Sequence, residues 1–292
     1  MKTTLTVRQG VDPVSAAVLR AVQAAAEEGG FDWFVLGATA RDLLLHHVYG
    51  MEVERATRDM DFAIAVEDWA QFNRIRELLV TRYHFQDDDG RRHRLLFNHP
   101  DVGVPFLVDL LPFGGVEEGQ HIKFPPEMAE VMNVAGYREV HEAAIEVIVA
   151  EGVQVRVASL PGLMLLKAFA WLDRRDRGNK DAIDMRSLLL AYESAENLDR
   201  LYEPAQMDLL EAHDFDPKCA AAALLGRNVR ELAEPTTRQN LQRLLFDVPG
   251  MVDDLVIDSV RTGKGGATEN RIKEAERLFA AFTYGLQQKV SD

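Results

Sequence analysis

A single cysteine, Cys219, stands in a chain of 292 residues, which excludes an internal disulfide framework and any cysteine-based zinc cluster. Followed by Ala220-Ala221-Ala222-Ala223, it reads as a small buried helix residue rather than a nucleophile. No uninterrupted apolar run is long enough to span a bilayer. The opening Met1-Lys2-Thr3-Thr4-Leu5 is not followed by the apolar stretch and small-residue cleavage site of a secretory signal. A cytoplasmic protein with no membrane partner is expected. Positive charge is also scarce: 33 Lys plus Arg face 47 Asp plus Glu, a formal net charge of -14. That balance disfavours broad, sequence-independent contact with nucleic-acid backbone, and leaves room for a local basic groove or a basic partner protein. The eight histidines show no metal-ligand spacing, and His46-His47, adjacent on a helix, cannot face one site. No serine, histidine and acid set stands out for acyl transfer. Gly263-Lys264-Gly265-Gly266 lacks both the Walker spacing and a preceding strand, so it reads as a flexible connection.

What is present is enough apolar residue, 47% against 27% charged, to bury one large core or two modest ones. Asp12-Pro13 caps a helix with the stripe Val14, Val18 and Val22, which Gly29-Gly30 stops. Phe31 to Leu36 is the first core strand, 39 to 49 a short helix, and Asp61 to Val66 a second strand. Glu67-Asp68 opens an amphipathic helix through Phe72, Ile75 and Leu79. Arg94 to Phe97 and Pro105 to Pro112 read as strands joined by a turn-rich connection, and Ala144 to Val157 as two strands turning at Glu151-Gly152. Beyond Ser159 the periodicity is helical, without a convincing strand past about 187. The expected fold class is α+β: a mixed sheet with flanking helices over 1–157, then a helical domain over 158–292 closing the active-site cleft.

The chemistry gathers around Asp59-Met60-Asp61. Residues i and i+2 of a strand share a face, so both carboxylates converge on one spot. Two adjacent acids repel unless a proton or cation lies between them, and a hard divalent cation with oxygen ligands is the natural resident near neutral pH. Asp109, inside Leu107-Val108-Asp109-Leu110-Leu111, is one acid in an apolar strand and needs a cation, a proton or a hydrogen-bond network. Upstream, Gly37-Ala38-Thr39 leads from a strand into a helix whose first N–H groups and dipole form an anion seat. An anion seat opposite three acids holding divalent cations fits one reaction, nucleotidyl or phosphoryl transfer.

These residues resemble the minimal nucleotidyltransferase (DNA polymerase β-like) superfamily, whose pattern is a Gly-Gly or Gly-Ser turn, an Asp-x-Asp on the next strand and a third acid on a neighbouring one. Here they are Gly37-Ala38, with Ala where the superfamily has Gly or Ser, then Asp59-x-Asp61, and Asp109. Downstream, Lys167, Arg174 and Lys180-Asp181-Ala182-Ile183-Asp184 are similar to the later motifs of AbiEii-like nucleotidyltransferases, toxins of type IV toxin-antitoxin and abortive-infection systems. The resemblance implies an NTP substrate and Mg2+ or Mn2+ on Asp59, Asp61 and Asp109. It also implies a phosphate seat at Gly37, Ala38, Thr39 and Arg41, and nucleotide contacts from Arg174, Lys180, Asp181 and Asp184. Lys167 would neutralise the leaving pyrophosphate, a tRNA 3' end would serve as acceptor, and an antitoxin protein would be the partner.

Plainer readings stand beside these. Lys167 and Arg174 fit the solvated side of an amphipathic helix, and Asp181 and Asp184 fit acids favoured by a helix N-terminus. Arg41 fits a structural ion pair, and Arg91-Arg92-His93-Arg94 a solvated loop or a short patch steering RNA. A small-molecule or protein acceptor is open as well, as is a nucleotide-sensing or partner-binding module without catalysis.

Overall fold

The computed structural model describes residues 4–52, 59–88, 90–98, 105–126, 128, 130–261 and 268–288. The chain divides into two units, Met1–Ser159 and Leu160–Asp292.

The first unit begins with β1 (Thr4–Thr6) and α1 (Pro13–Gly29). Asp12 caps α1 by accepting from the N–H groups of Val14 and Ser15, and Gly30 ends it in the left-handed conformation, so the turn residues act as expected. Next come β2 (Trp33–Leu36), α2 (Gly37–Asp42) running directly into π-helical turns at Leu43–Val48, β3 (Asp59–Val66), α3 (Trp69–Arg82), β4 (Phe85–Asp87), β5 (Arg94–Phe97) and β6 (Phe106–Gly114). The short hairpin β7 (His121–Lys123) and β8 (Val131–Asn133), α4 (Tyr137–Glu142), β9 (Ile145–Ala150) and β10 (Val153–Val157) complete it. The helix after β2 starts at Gly37, two residues before the expected 39. The connection read at Asn98 to Gly103 lies mostly outside the described residues, as does Gly263 to Gly266. The short strands β1, β4, β7 and β8 carry too few residues for a period to show.

Eight strands form one mixed sheet in the order β1-β9-β10-β2-β3-β6-β5-β4. The centre is parallel between β3 and β6 and antiparallel between β2 and β3 and between β5 and β6. Interior position explains the apolar runs: Phe62, Ala63 and Ile64 of β3 and Val108 and Leu110 of β6 have no exposed surface. This is the α+β class with a mixed sheet and flanking helices.

The second unit is helical: α5 (Leu160–Arg174), a 3-10 turn (Arg175–Arg177), α6 (Lys180–Ala191), α7 (Leu198–Leu201), α8 (Met207–Ala212), α9 (Pro217–Leu232), α10 (Pro235–Phe246), α11 (Met251–Val260) and α12 (Glu269–Gln287). Its tightest approach is α9 on α12. A Cβ at Gly226 would run into the Phe282 carbonyl, and one at Gly285 into the Ala223 carbonyl, so the two backbones meet where neither carries a side chain. Cys219 is buried in α9; burial raises its thiol pKa above the ordinary value, in keeping with an inert packing role. Among the described residues no helix is long and apolar enough to cross a membrane.

Candidate active site

A row of residues in register crosses four adjacent strands of the first unit. Leu36 of β2 lies opposite Asp61 of β3, Asp61 opposite Asp109 of β6, and Asp109 opposite Arg94 of β5. Residues paired across a ladder share a face, so Asp61, Asp109 and Arg94 stand side by side, with Asp59 two residues back along β3 on the same face. Asp59 and Asp61 keep part of their surface in water, while Asp109 is 8% exposed. The sheet therefore brings together the three acids picked out in the sequence. An edge-strand, solvent-facing Asp109 is excluded, because β6 runs between β3 and β5.

Gly37 follows Leu36 at the end of this row. Its φ of 67° lies in the left-handed region, and a Cβ there would collide with the Asp61 carboxylate. The turn is glycine for both reasons: the chain must reverse into α2, and the acid needs the space. Ala38 and Thr39 are buried in the first turn of α2, and the Thr39 hydroxyl donates to the Asp59 carbonyl at 3.1 Å, tying the turn to β3. Arg41 is buried and paired with Asp42 at 2.7 Å, the structural reading offered for it.

Arg94, grouped in the sequence with the basic stretch Arg91 to Arg94, stands in this row. Its guanidinium grips Asp109 as a fork, Nε to Oδ1 at 2.6 Å and a terminal nitrogen to Oδ2 at 2.7 Å. These hydrogen bonds raise its pKa further above the ordinary value, against a smaller opposing effect of burial, with the charges of Asp109, Asp59 and Asp88 adding to the rise. His93 is also buried, its Nε2 3.8 Å from Asp109 Oδ1 and its Nδ1 2.9 Å from Glu130. The solvated-loop reading thus fails for both residues. The available signal was the lone acid itself: a carboxylate in a buried strand required a cation, and the nearest strand began with an arginine.

In this arrangement Asp109 spends both oxygens on Arg94, and among the described residues no group of three or more His, Cys, Asp or Glu is arranged to hold a metal ion. The donor set still fits a hard divalent cation by its chemistry: partly exposed aspartates at Asp59 and Asp61, which share a strand face, and a third, Asp109, in register with Asp61.

Lys167, Arg174, Lys180, Asp181 and Asp184 belong to the second unit. Lys167 is buried in α5, which overturns its reading as a solvated helix face; Nζ lies 2.6 Å from Asp184 Oδ2 and 3.0 Å from Asp181 Oδ1. Arg174 closes the group with a fork on Asp181, at 2.6 and 3.0 Å. Burial alone would lower the Lys167 pKa, but the fields of Asp184 and Asp181 overturn that and raise it. Burial would likewise raise Asp181; the hydrogen bond from Arg174 and the charge of Lys167 more than offset it, leaving the carboxyl below its ordinary range. Two acids and two bases balance here. Lys180 opens α6 after Asn179, whose amide donates to the carbonyls of Asp258 and Arg261 at 2.8 and 2.7 Å.

The aspartates in register beside the glycine turn form the candidate site of the first unit. The family model described as nucleotidyl transferase AbiEii toxin, type IV TA system, matches residues 20–262, and the chain belongs to that family. None of the curated proteins matches it. Solved structures similar to it include the solution structure of the antibiotic-resistance factor ANT(2'')-Ia, at 19% identity over 70% of this chain and 99% of that one, TM-score 0.34. The crystal structure of ANT(2'')-Ia in complex with adenylyl-2''-tobramycin is similar at 18% identity over 64% and 94%, TM-score 0.34.

Proposed function

We propose that this nucleotidyltransferase moves a nucleoside monophosphate from an NTP to the hydroxyl at a tRNA 3' end, with Mg2+ or Mn2+ held by Asp59, Asp61 and Asp109, and that it is a toxin restrained by an antitoxin protein. The observation that carries the chemistry is the register of Asp61 with Asp109, with Asp59 two residues behind, beneath the Gly37 turn. Asp59, Asp61 and Asp109 would hold the cation, which when bound would neutralise triphosphate charge. Gly37, Ala38 and Thr39 offer backbone N–H groups to phosphate oxygens, and Asp109 accepts the proton of the acceptor hydroxyl as its oxygen attacks the α-phosphorus and pyrophosphate departs. Lys167 is proposed as counter-charge to the pyrophosphate; two of its three donors face Asp181 and Asp184.

The test is incubation with each labelled NTP together with total tRNA, an aminoglycoside mixture or a protein extract. Label is expected on tRNA, abolished by EDTA and by Asp61→Ala. Label on the drug or on protein, with none on RNA, overturns the acceptor. Transfer that survives Asp61→Ala unchanged overturns the cation role. Co-expression with the product of the adjacent reading frame is expected to relieve growth arrest; persistent arrest removes that product as the antitoxin.

A further inference from the structure

We propose that Arg94 is a built-in competitor for the divalent cation, an internal positive charge whose fork on Asp109 must be given up for the cation to use that carboxylate. The inference rests on the proposed cation-binding role of Asp59, Asp61 and Asp109. It starts from the fork: both oxygens of Asp109 accept from Arg94, at 2.6 and 2.7 Å, so the lone pairs that a cation would use are already committed. The contact is shielded from water, with the Arg94 and Asp109 side chains 15% and 12% exposed, which strengthens it. His93 lies farther from the same oxygen, at 3.8 Å, and turns its other nitrogen to Glu130, so the close contact belongs to Arg94.

A cation arriving at Asp59 and Asp61 would act on Arg94 through its charge. Its double positive charge would repel the guanidinium across neighbouring register positions. Asp109 then exchanges one positive partner for another. Arg94 begins β5, directly after the turn in which its own N–H donates to the Arg91 carbonyl, so its long side chain leaves from a strand end rather than from mid-strand. The site would thus stay charge-compensated without metal, at the expense of cation affinity.

The experiment measures Mn2+ binding to the full-length protein without nucleotide, by the electron paramagnetic resonance signal of free Mn2+. It compares the unaltered chain, Arg94→Gln and Arg94→Lys, and records melting temperatures in EDTA and in Mn2+. Arg94→Gln is expected to bind Mn2+ about tenfold tighter, on the scale of one charge-assisted contact released. It should also melt lower in EDTA and recover more on Mn2+ addition. Arg94→Lys, which keeps the charge but lacks the fork, is expected to gain about threefold. Should Arg94→Gln not fold, the Arg94→Lys comparison decides alone. Equal or weaker binding in the variants overturns the proposal and makes Arg94 a scaffold for Asp109, while the cation role stands. If neither the unaltered chain nor the variants bind Mn2+ and Asp61→Ala behaves identically, the cation role falls and this inference falls with it.

Discussion

The two units both set aspartates against bases, and they do so in opposite styles. In the first, Asp59 and Asp61 lie on a strand with part of their surface in water, and the third acid is gripped by an arginine from the neighbouring ladder. In the second, Asp181 and Asp184 are 3% and 5% exposed and share the buried Lys167, with Arg174 closing the group. A carboxylate that must exchange partners during turnover needs access to solvent and neighbours that can leave. The buried members of the second group, Lys167, Asp181 and Asp184, have already met the desolvation cost of their charges and lose that balance if one is removed, while Arg174 keeps half its side chain in water. The contrast separates acids with room to exchange partners from acids whose charge is already balanced inside the fold.

The largest effect should come from breaking the first group. Asp61→Asn keeps the shape and removes the charge, so nucleotide transfer should fall by on the order of a thousandfold, about 4 kcal/mol at the transition state. The melting temperature should hold or rise, because repulsion between neighbouring acids is relieved. Lys167→Met should do the reverse in its primary effect, lowering unfolding free energy by about 3 kcal/mol in urea titration because it removes the buried ammonium that Asp181 and Asp184 share. If Asp61→Asn destabilises more than Lys167→Met, the contrast between the units is wrong.

Much of the first site could be read from the sequence because strand period and apolar context are local. Asp59 and Asp61 share a face by spacing alone, and Asp109 stood out as a charge without company in an apolar run. Arg94 did not, because its role depends on which strand pairs with which. The order β3-β6-β5 reverses the sequence order of β5 and β6, and no local pattern states that. The burial of Lys167 was hidden for a similar reason: beside its assignment to the pyrophosphate, the plainer reading was a solvated helix face, and a lysine on an apolar helix looks like an amphipathic boundary until Asp181 and Asp184, three residues apart on α6, are known to receive it. The helix after β2 began earlier than expected because Gly37 is its first residue rather than a loop residue before it.

Gly37→Ala probes the join between turn and acid, and should move both readouts at once. The left-handed backbone conformation costs roughly 1–2 kcal/mol with a Cβ present, and that Cβ meets the Asp61 carboxylate. Stability measured by urea titration should drop by that amount, with transfer falling beyond what the lost folded fraction explains. A fall in stability alone would mean that Asp61 relaxes around the methyl group without functional loss.

The smallest effect is the pH dependence of the second unit's cluster, and its sign follows from the directions of the two shifts. Asp181 titrates lower when folded than unfolded, so its contribution is fully present above the unfolded carboxyl pKa of about 4 and is lost as pH falls through the depressed folded value. Lys167 titrates higher when folded, so its contribution is present below the unfolded ammonium pKa of about 10.4 and is lost as pH rises through the raised folded value. Between those limits the cluster contributes a constant stability. Urea titrations from pH 7 to pH 3 should therefore show a steeper acid decline for the unaltered chain than for Asp181→Asn, which begins less stable and has no carboxyl to protonate at that position. Other acids with depressed values, Asp208 and Asp216, titrate in both proteins and cancel in the difference. Parallel curves would mean that Arg174 and Lys167 do not hold Asp181 below its ordinary range, and the cluster would then be a weaker tie than its burial and short contacts indicate.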